Sequence, residues 1–251
     1  MPYVPILERS TFSMKSFFKK LWRILLKICL WFFILSIVST VLFRWIPVPV
    51  TPLMLIRCVQ QAVDDTRDVI LKKDWVSIEE ISLDLQLAVV CAEDQNFLEH
   101  YGFDFDAIEK VVKHNKSHKR KRGASTISQQ TAKNVFLYDG RNWVRKGLEV
   151  YFTFLAELFW SKKRIMEVYL NVIEFGDGIY GAEAAAQEFF HTSAKKLSRQ
   201  QAALLAAVLP NPRKFSVKNP SAYVRKRQNW IIGQMNNLGG ELKFDSSSSE
   251  K

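Results

Sequence analysis

Glu93 and Asp94 stand side by side at the end of a run of apolar and small residues, Leu83 to Ala92, and Phe97, His100 and Gly102 follow at short fixed offsets. An apolar run that ends in adjacent carboxylates reads as a buried helix whose tip opens into a cleft. A carboxyl group at such a mouth is partly desolvated, so its pKa rises toward the working pH and it becomes fit to take a proton. Taken alone, the pair reads more simply as the solvated end of a helix. The case against that simpler reading lies downstream.

Gly123 to Asn134 reads GASTISQQTAKN. If Ser125 opens a helix, Ser125, Gln129 and Lys133 follow i, i+4, i+8 and share one face. A hydroxyl, an amide and an ammonium on one face can grip a phosphate or a sugar hydroxyl; a plain polar surface is the alternative. Arg145, Lys146 and Glu149 follow in a further helix, Asn142 to Trp160. Arg145 and Glu149 make an i, i+4 ion pair, worth about 0.3–0.5 kcal/mol on a surface, or else a second acid flanked by cations. The seven basic residues Lys110, Lys113, Lys116, Lys119, Arg120, Lys121 and Arg122 come without an acid between them. They read as a solvated loop or as a mobile flap beside an anionic substrate.

The elements that must position these groups are mostly helical. The helices expected are Arg57–Leu71, Asp84–Glu93, Phe105–His114 capped by Asp104, one opened by Ser161, Ala182–Phe190, Ala202–Leu209 and Ser221–Asn237. Ser77 to Glu80 and Ser198 to Gln201 fit capping boxes. Gly176 to Gly181 matches GxGxxG, but its helical flanks argue for a tight turn rather than a dinucleotide site. Gly239 to Lys251 reads as a disordered tail.

Ahead of all this, Ile28 to Phe43 contains no charge, and Leu21 to Ile46 supplies the roughly 20 residues that cross a bilayer. No small-x-small cleavage site follows, which favours a retained anchor over a cleaved signal. The basic excess before the span puts residues 1–20 in the cytoplasm and the rest outside. Pro47 to Pro52 reads as a stiff linker, extending to residue 56 and holding residues 57–237 near the membrane. Net charge is +11, of which 1–44 carries +6 (seven basic, one acidic) and the remainder +5 (29 basic, 24 acidic). Both parts favour anionic partners. A domain outside the cytoplasm meets no nucleic acid, so an anionic lipid is the better partner. Cys29, Cys58 and Cys91 have no metal-type spacing.

Residues from about 75 to 233 resemble the peptidoglycan glycosyltransferases, the lysozyme-like glycosyltransferase family 51. Five motifs carry the resemblance, in order: EDxxFxxHxG at Glu93–Gly102, GASTIxQQxxKN at Gly123–Asn134, RKxxE at Arg145–Glu149, KxxIxExYLN at Lys162–Asn171 and AALLAAxLPxP at Ala202–Pro212. One span and no second catalytic domain point to its monofunctional members. The resemblance implies a mainly α, bilobal, lysozyme-like domain with a membrane-dipping smaller lobe behind one N-terminal transmembrane helix. It implies lipid II as acceptor, the growing glycan strand as donor, and the bacterial inner membrane as location, with the domain on the periplasmic side. It assigns Glu93 as general base and Glu149 as second catalytic glutamate, which orients cations or a divalent ion. Lys133, Arg145 and Lys146 would neutralise pyrophosphate, Ser125 and Gln129 would position sugar or phosphate, and Asp94 would support the cleft. Mg2+ or Mn2+ is the expected helper, with no organic cofactor and no metal cage of protein ligands. Wall-synthesis or cell-division proteins are the expected partners. The rivals are a lysozyme-like enzyme that cleaves finished peptidoglycan and an idle membrane-anchored scaffold. The SxxK spacing of Ser193 and Lys196 lacks the companions of a penicillin-binding site and reads as chance.

Overall fold

The computed structural model describes residues 14–64, 66, 68–117, 123–140, 142–239, 242 and 244. Lys119 to Arg122, most of the expected C-terminal tail and most of the expected cytoplasmic tail lie outside them.

The chain divides into two units, Met1–Leu42 and Phe43–Lys251. The first contains α1, Met14–Leu42, of which Phe17–Leu42 is long and apolar enough to cross a membrane, with mean hydropathy 2.4. Its hydroxyls bond inside the helix: Ser36 Oγ donates to Phe33 O at 2.9 Å and Thr40 Oγ1 to Ser36 O at 2.8 Å. In hydrocarbon such back-bonding leaves no hydroxyl unsatisfied. The expected span reached Ile46, but the helix ends at Leu42.

In the second unit the chain after the span is fastened rather than free. Arg164 donates to Phe43 O at 3.0 and 2.8 Å and to Ile46 O at 2.6 Å, and Lys73 Nζ donates to Val48 O at 2.8 Å. Helix α2 spans Pro52–Ala62, earlier than the expected Arg57–Leu71. The reason is local: Thr51 caps the helix by accepting from Met54 N at 3.3 Å, and Pro52 takes the first position, where its missing N–H costs nothing. The stiff linker is therefore shorter than expected.

Helices α3 (Leu83–Glu93), α4 (Phe105–Ser117), α5 (Ile127–Phe136), α6 (Trp143–Phe159), α7 (Lys162–Val172), α8 (Ala182–Phe190), α9 (Arg199–Val208) and α10 (Ala222–Asn237) follow. Their starts are set by hydroxyl and amide caps. Asn142 accepts from Arg145 N, Ser161 from Arg164 N and Ser221 from Val224 N, and Ser198 forms the expected capping box with Gln201. The box expected at Ser77 does not form; Ile78–Glu80 is a single 3-10 turn without a side-chain cap.

α3 packs on α9 and α10, and α5 on α6 and α7. The main core gathers Leu85, Leu87, Ile127, Met166, Tyr169 and Leu205, and a smaller cluster of Ala132, Leu137, Phe152 and Leu155 sits between α5 and α6. A small sheet completes the unit: β1 (Lys72–Lys73) pairs in parallel with β3 (Ile179–Tyr180), which pairs antiparallel with β2 (Glu174–Gly176). The expected turn at Gly176–Gly181 is thus a hairpin. Gly178 has φ +74°, and a Cβ there would lie 2.2 Å from Ile70 O, so the residue must be glycine. Leu242 and Phe244, expected to be disordered, pack half-buried against the core.

Candidate active site

α3 is buried on every side from Leu85 to Cys91. Asp94 sets its end, leaving the helix with its N–H still donating to Val90 O at 2.9 Å. Helix geometry thus delivers Glu93 to the wall of a cavity of about 1350 Å³, also bordered by Asp94, Ser125, Gln130 and Pro210, by α4 and by α10.

Only 14% of the Glu93 side chain is exposed. Gln130 Nε2 donates to Glu93 Oε2 at 3.0 Å, and the Tyr169 hydroxyl donates to Gln130 Oε1 at 3.2 Å. The Glu93 carboxylate, which can only accept, takes the amide N–H, and this leaves the Gln130 carbonyl oxygen to accept from the phenol. From the other side Arg227 Nη2 donates to Ala92 O at 3.2 Å and reaches Glu93 Oε1 at 3.4 Å. Burial pushes the Glu93 carboxyl above the ordinary 4.5; the Gln130 bond and the Arg227 charge hold it back, and the Asp94 charge adds to the rise. A carboxyl raised in this way is better fitted to accept a proton than an exposed one. Burial, with the Glu93 and Asp94 charges, also lifts the Tyr169 phenol well above its usual range, so it stays a donor.

Asp94 is spent on the protein itself. With its side chain 3% exposed, it meets His100 Nε2 at 2.9 and 3.0 Å and accepts from Ile127 N at 2.9 Å. It ties the first motif to the start of α5 and so supports the cleft, whose cavity it also borders. A second tie runs beside it: the Thr126 hydroxyl donates to Gly102 O at 2.7 Å. Gly102 has φ +82°, and a Cβ there would lie 2.8 Å from Thr153 Cγ2. Asp104 caps α4 as expected, accepting from Ala107 N at 2.7 Å and Asn96 Nδ2 at 2.9 Å. Those bonds, the backbone one foremost, hold its carboxyl below the ordinary range.

The expected face Ser125–Gln129–Lys133 does not form. Thr126, not Ser125, caps α5, and Gln129 is consumed by the capping box, with Thr126 N donating to its Oε1 at 3.0 Å. Ser125 is exposed outside the helix and borders the cavity; Gln129 is buried and does not. Gln130, next to it, is the amide that borders the cavity and meets Glu93. Lys133 is half-buried and carries no ion pair among the described residues.

Glu149 is buried in α6, where Arg145 Nη1 donates to its Oε2 at 2.6 Å and Lys146 Nζ donates to Oε1. The arrangement is the acid between cations, and its 4% exposed side chain rules out a loose surface pair. None of Lys133, Arg145, Lys146 and Glu149 borders the cavity that holds Glu93. With both oxygens of Glu149 taken by cations, and no group of three His, Cys, Asp or Glu suited to a metal among the described residues, these side chains do not fit a divalent ion. Cys58 and Cys91 are free thiols.

Sequence reasoning missed Gln130, Tyr169 and Arg227 as partners of Glu93. The first two stand inside the second and fourth motifs. Arg227 carries no signal: it lies among Arg225 and Lys226 in a basic helix, and only the fold aims it at Glu93.

Comparison with known proteins places the chain in a family. The sequence pattern of the family described as Transglycosylase matches residues 61–236. The Biosynthetic peptidoglycan transglycosylase of Bdellovibrio bacteriovorus is 57% identical over 222 residues, 88% of each chain. That of Bacteroides thetaiotaomicron is 56% identical over 218 residues, 87% of this chain and 88% of its own. That of Haemophilus influenzae is 52% identical over 227 residues, 90% of this chain and 91% of its own. Such a match holds all five motifs within its span, and the chain belongs to the transglycosylase family.

Proposed function

We propose that this transglycosylase builds peptidoglycan glycan strands by polymerising lipid II, with Glu93 as general base. The observation that carries the reading is the Glu93 carboxyl, buried, raised in pKa and held between Gln130 and Arg227 at a large cavity. The 4-hydroxyl oxygen of lipid II attacks the anomeric carbon of the strand's terminal sugar. Its proton passes to Glu93, the bond from that carbon to the pyrophosphate oxygen breaks, and the electron pair leaves with undecaprenyl pyrophosphate. One displacement inverts the configuration. A pyrophosphate leaves without a general acid once its charge is met.

Arg145, Lys146 and Lys133 are the proposed cations. The trio of Arg145, Lys146 and Glu149 keeps one positive charge in excess, which favours an anion. Ser125 offers its exposed hydroxyl at the cavity edge. Mg2+ or Mn2+ would act here only through substrate oxygens, and no step of the transfer passes through it.

The proposed setting is the bacterial inner membrane, with the domain on the periplasmic side. The apolar helix α1 supports the anchor, and the basic residues before it support the orientation. On α6, Trp143, Val144, Phe154 and Leu158 are more than half exposed; apolar side chains of this size suit a bilayer better than water. The basic segment 110–122 would hold the anionic carrier, and wall-synthesis or cell-division proteins are the proposed partners.

The test is polymerisation of labelled lipid II by the detergent-solubilised full chain beside Glu93→Gln. Long glycan and undecaprenyl pyrophosphate from the wild type, with neither from a folded variant, support the reading. Cleavage of preformed glycan without polymerisation overturns it in favour of a hydrolase.

A further inference from the structure

α10 turns two unlike faces outward from its axis. Val224, Ile231 and Met235 are fully buried against the core. Tyr223, Lys226, Arg227 and Trp230, at i, i+3, i+4 and i+7, all border the cavity that holds Glu93. Arg227 is spent on Glu93 and Ala92 O. The two aromatic residues are not: Tyr223 is 45% and Trp230 48% exposed, so neither ring does the work of a core residue.

We propose that Tyr223 and Trp230 form a carbohydrate-stacking subsite that holds two alternate pyranose rings of a glycan, sugars i and i+2, along α10. The inference rests on the transglycosylase function proposed for the chain and adds to it the surface along which the sugar chain lies. Seven residues of helix separate the two positions by about 10 Å along the axis, two sugar repeats of an extended glycan, so the rings meet sugars i and i+2. The C–H face of a pyranose is the electropositive partner that the negative face of an aromatic ring prefers. Between the rings, Lys226 presents an ammonium able to donate to sugar hydroxyls or an N-acetyl carbonyl. The Tyr223 ring is steadied by Phe215, with centroids 5.4 Å apart, so one platform is organised before any ligand arrives. The competing use of exposed Trp and Tyr is anchoring at a membrane interface. Their place on the wall of the cavity that carries the proposed base, with a charged residue at each intervening cavity position, favours sugar.

The test uses the detergent-solubilised full chain, Tyr223→Ala, Trp230→Ala and Trp230→Phe. Saturation-transfer NMR with a soluble N-acetylglucosamine tetramer reads sugar contact without needing catalysis. The expected result is transfer to sugar C–H protons in the wild type, weakened by either alanine variant and restored by Trp230→Phe. In lipid II polymerisation each alanine variant is expected to raise KM roughly five- to tenfold and to shorten the product, with kcat and its pH profile nearly unchanged. Wild-type polymerisation with unaltered KM, length and sugar contact in both alanine variants overturns the subsite and leaves the transglycosylase reading standing. A loss of vesicle binding in Trp230→Ala, with sugar contact intact, overturns it in favour of a membrane anchor. Absence of polymerisation by the wild type overturns the transglycosylase reading, and the tetramer spectra still decide the subsite.

Discussion

α3 has no solvent face between Leu85 and Cys91, whereas α4, which borders the same cavity, has no fully buried side chain anywhere along its length. The first is buried on every side, with Gln86 donating to Ile78 O and Ile81 O, and is held by α9 and α10. The second is polar and amphipathic, bonded mainly at its ends. The contrast separates two tasks. A base must stay within tenths of an ångström of its partners, and that precision comes from the close-packed core behind α3. A wall that would admit the proposed lipid-linked sugar needs little packing and can yield.

Five substitutions break or sharpen this contrast. Glu93→Gln is expected to cost about 10²- to 10⁴-fold in polymerisation rate, with circular dichroism unchanged. Leu87→Ala, at 1% exposure in α3, is expected to cost about 2–5 kcal/mol in urea unfolding. Asp94→Asn loses an acceptor shared by His100 and Ile127 N, a cost of about 1.5–3 kcal/mol, and moves the start of α5 relative to Glu93. Tyr169→Phe leaves the buried Gln130 carbonyl oxygen without its donor, for about 1 kcal/mol and a few-fold loss of kcat. Val112→Ala on α4, 48% exposed, should stay within about 0.5 kcal/mol. If Val112→Ala cost as much as Leu87→Ala, the two walls would not differ as described.

Acidity adds a further check. The folded-state pKa of Glu93 lies above 4.5, so between 4.5 and that higher value the folded protein binds the additional proton. Its contribution to stability is therefore greatest below that window and falls as pH climbs through it. Glu93→Gln should flatten this decline in urea titrations taken at successive pH values. The acid limb of activity should lie above 4.5 and move higher in Arg227→Gln, because a cation that favours the carboxylate is gone.

Much of the frame could be read from the residues. The unbroken apolar stretch before Glu93, the Asp104 cap, the Ser198 box and the Ser161 start are local signals, and local physics decides them. What escaped was set by competition or distance. Ser125 and Thr126 are both able caps, and with Thr126 as the cap Gln129 is drawn into the capping box while Gln130 meets Glu93. Arg227 meets Glu93 across most of the domain's sequence, and no spacing announces such a contact. The sheet strands are two or three residues long, too short for alternation to show. Pro52 resembles the stiff end of a linker until the hydroxyl of Thr51 beside it is recognised as a cap.

The bond between Thr126 and Gly102 closes the chain upon itself at the foot of α4. Everything from Phe103 to Ser125 leaves this point and returns to it. Closure entropy grows only with the logarithm of loop length, about 0.6 kcal/mol for each doubling. Residues can be inserted into or removed from that excursion with little thermodynamic penalty, provided its foot is untouched. The foot itself allows no such freedom, since Gly102 has no room for a side chain and Thr126 begins the helix that carries Gln130. The cavity thus has one border whose length costs little in closure entropy and another that is fixed, meeting where Thr126 bonds Gly102 beside the Asp94 tie to Ile127.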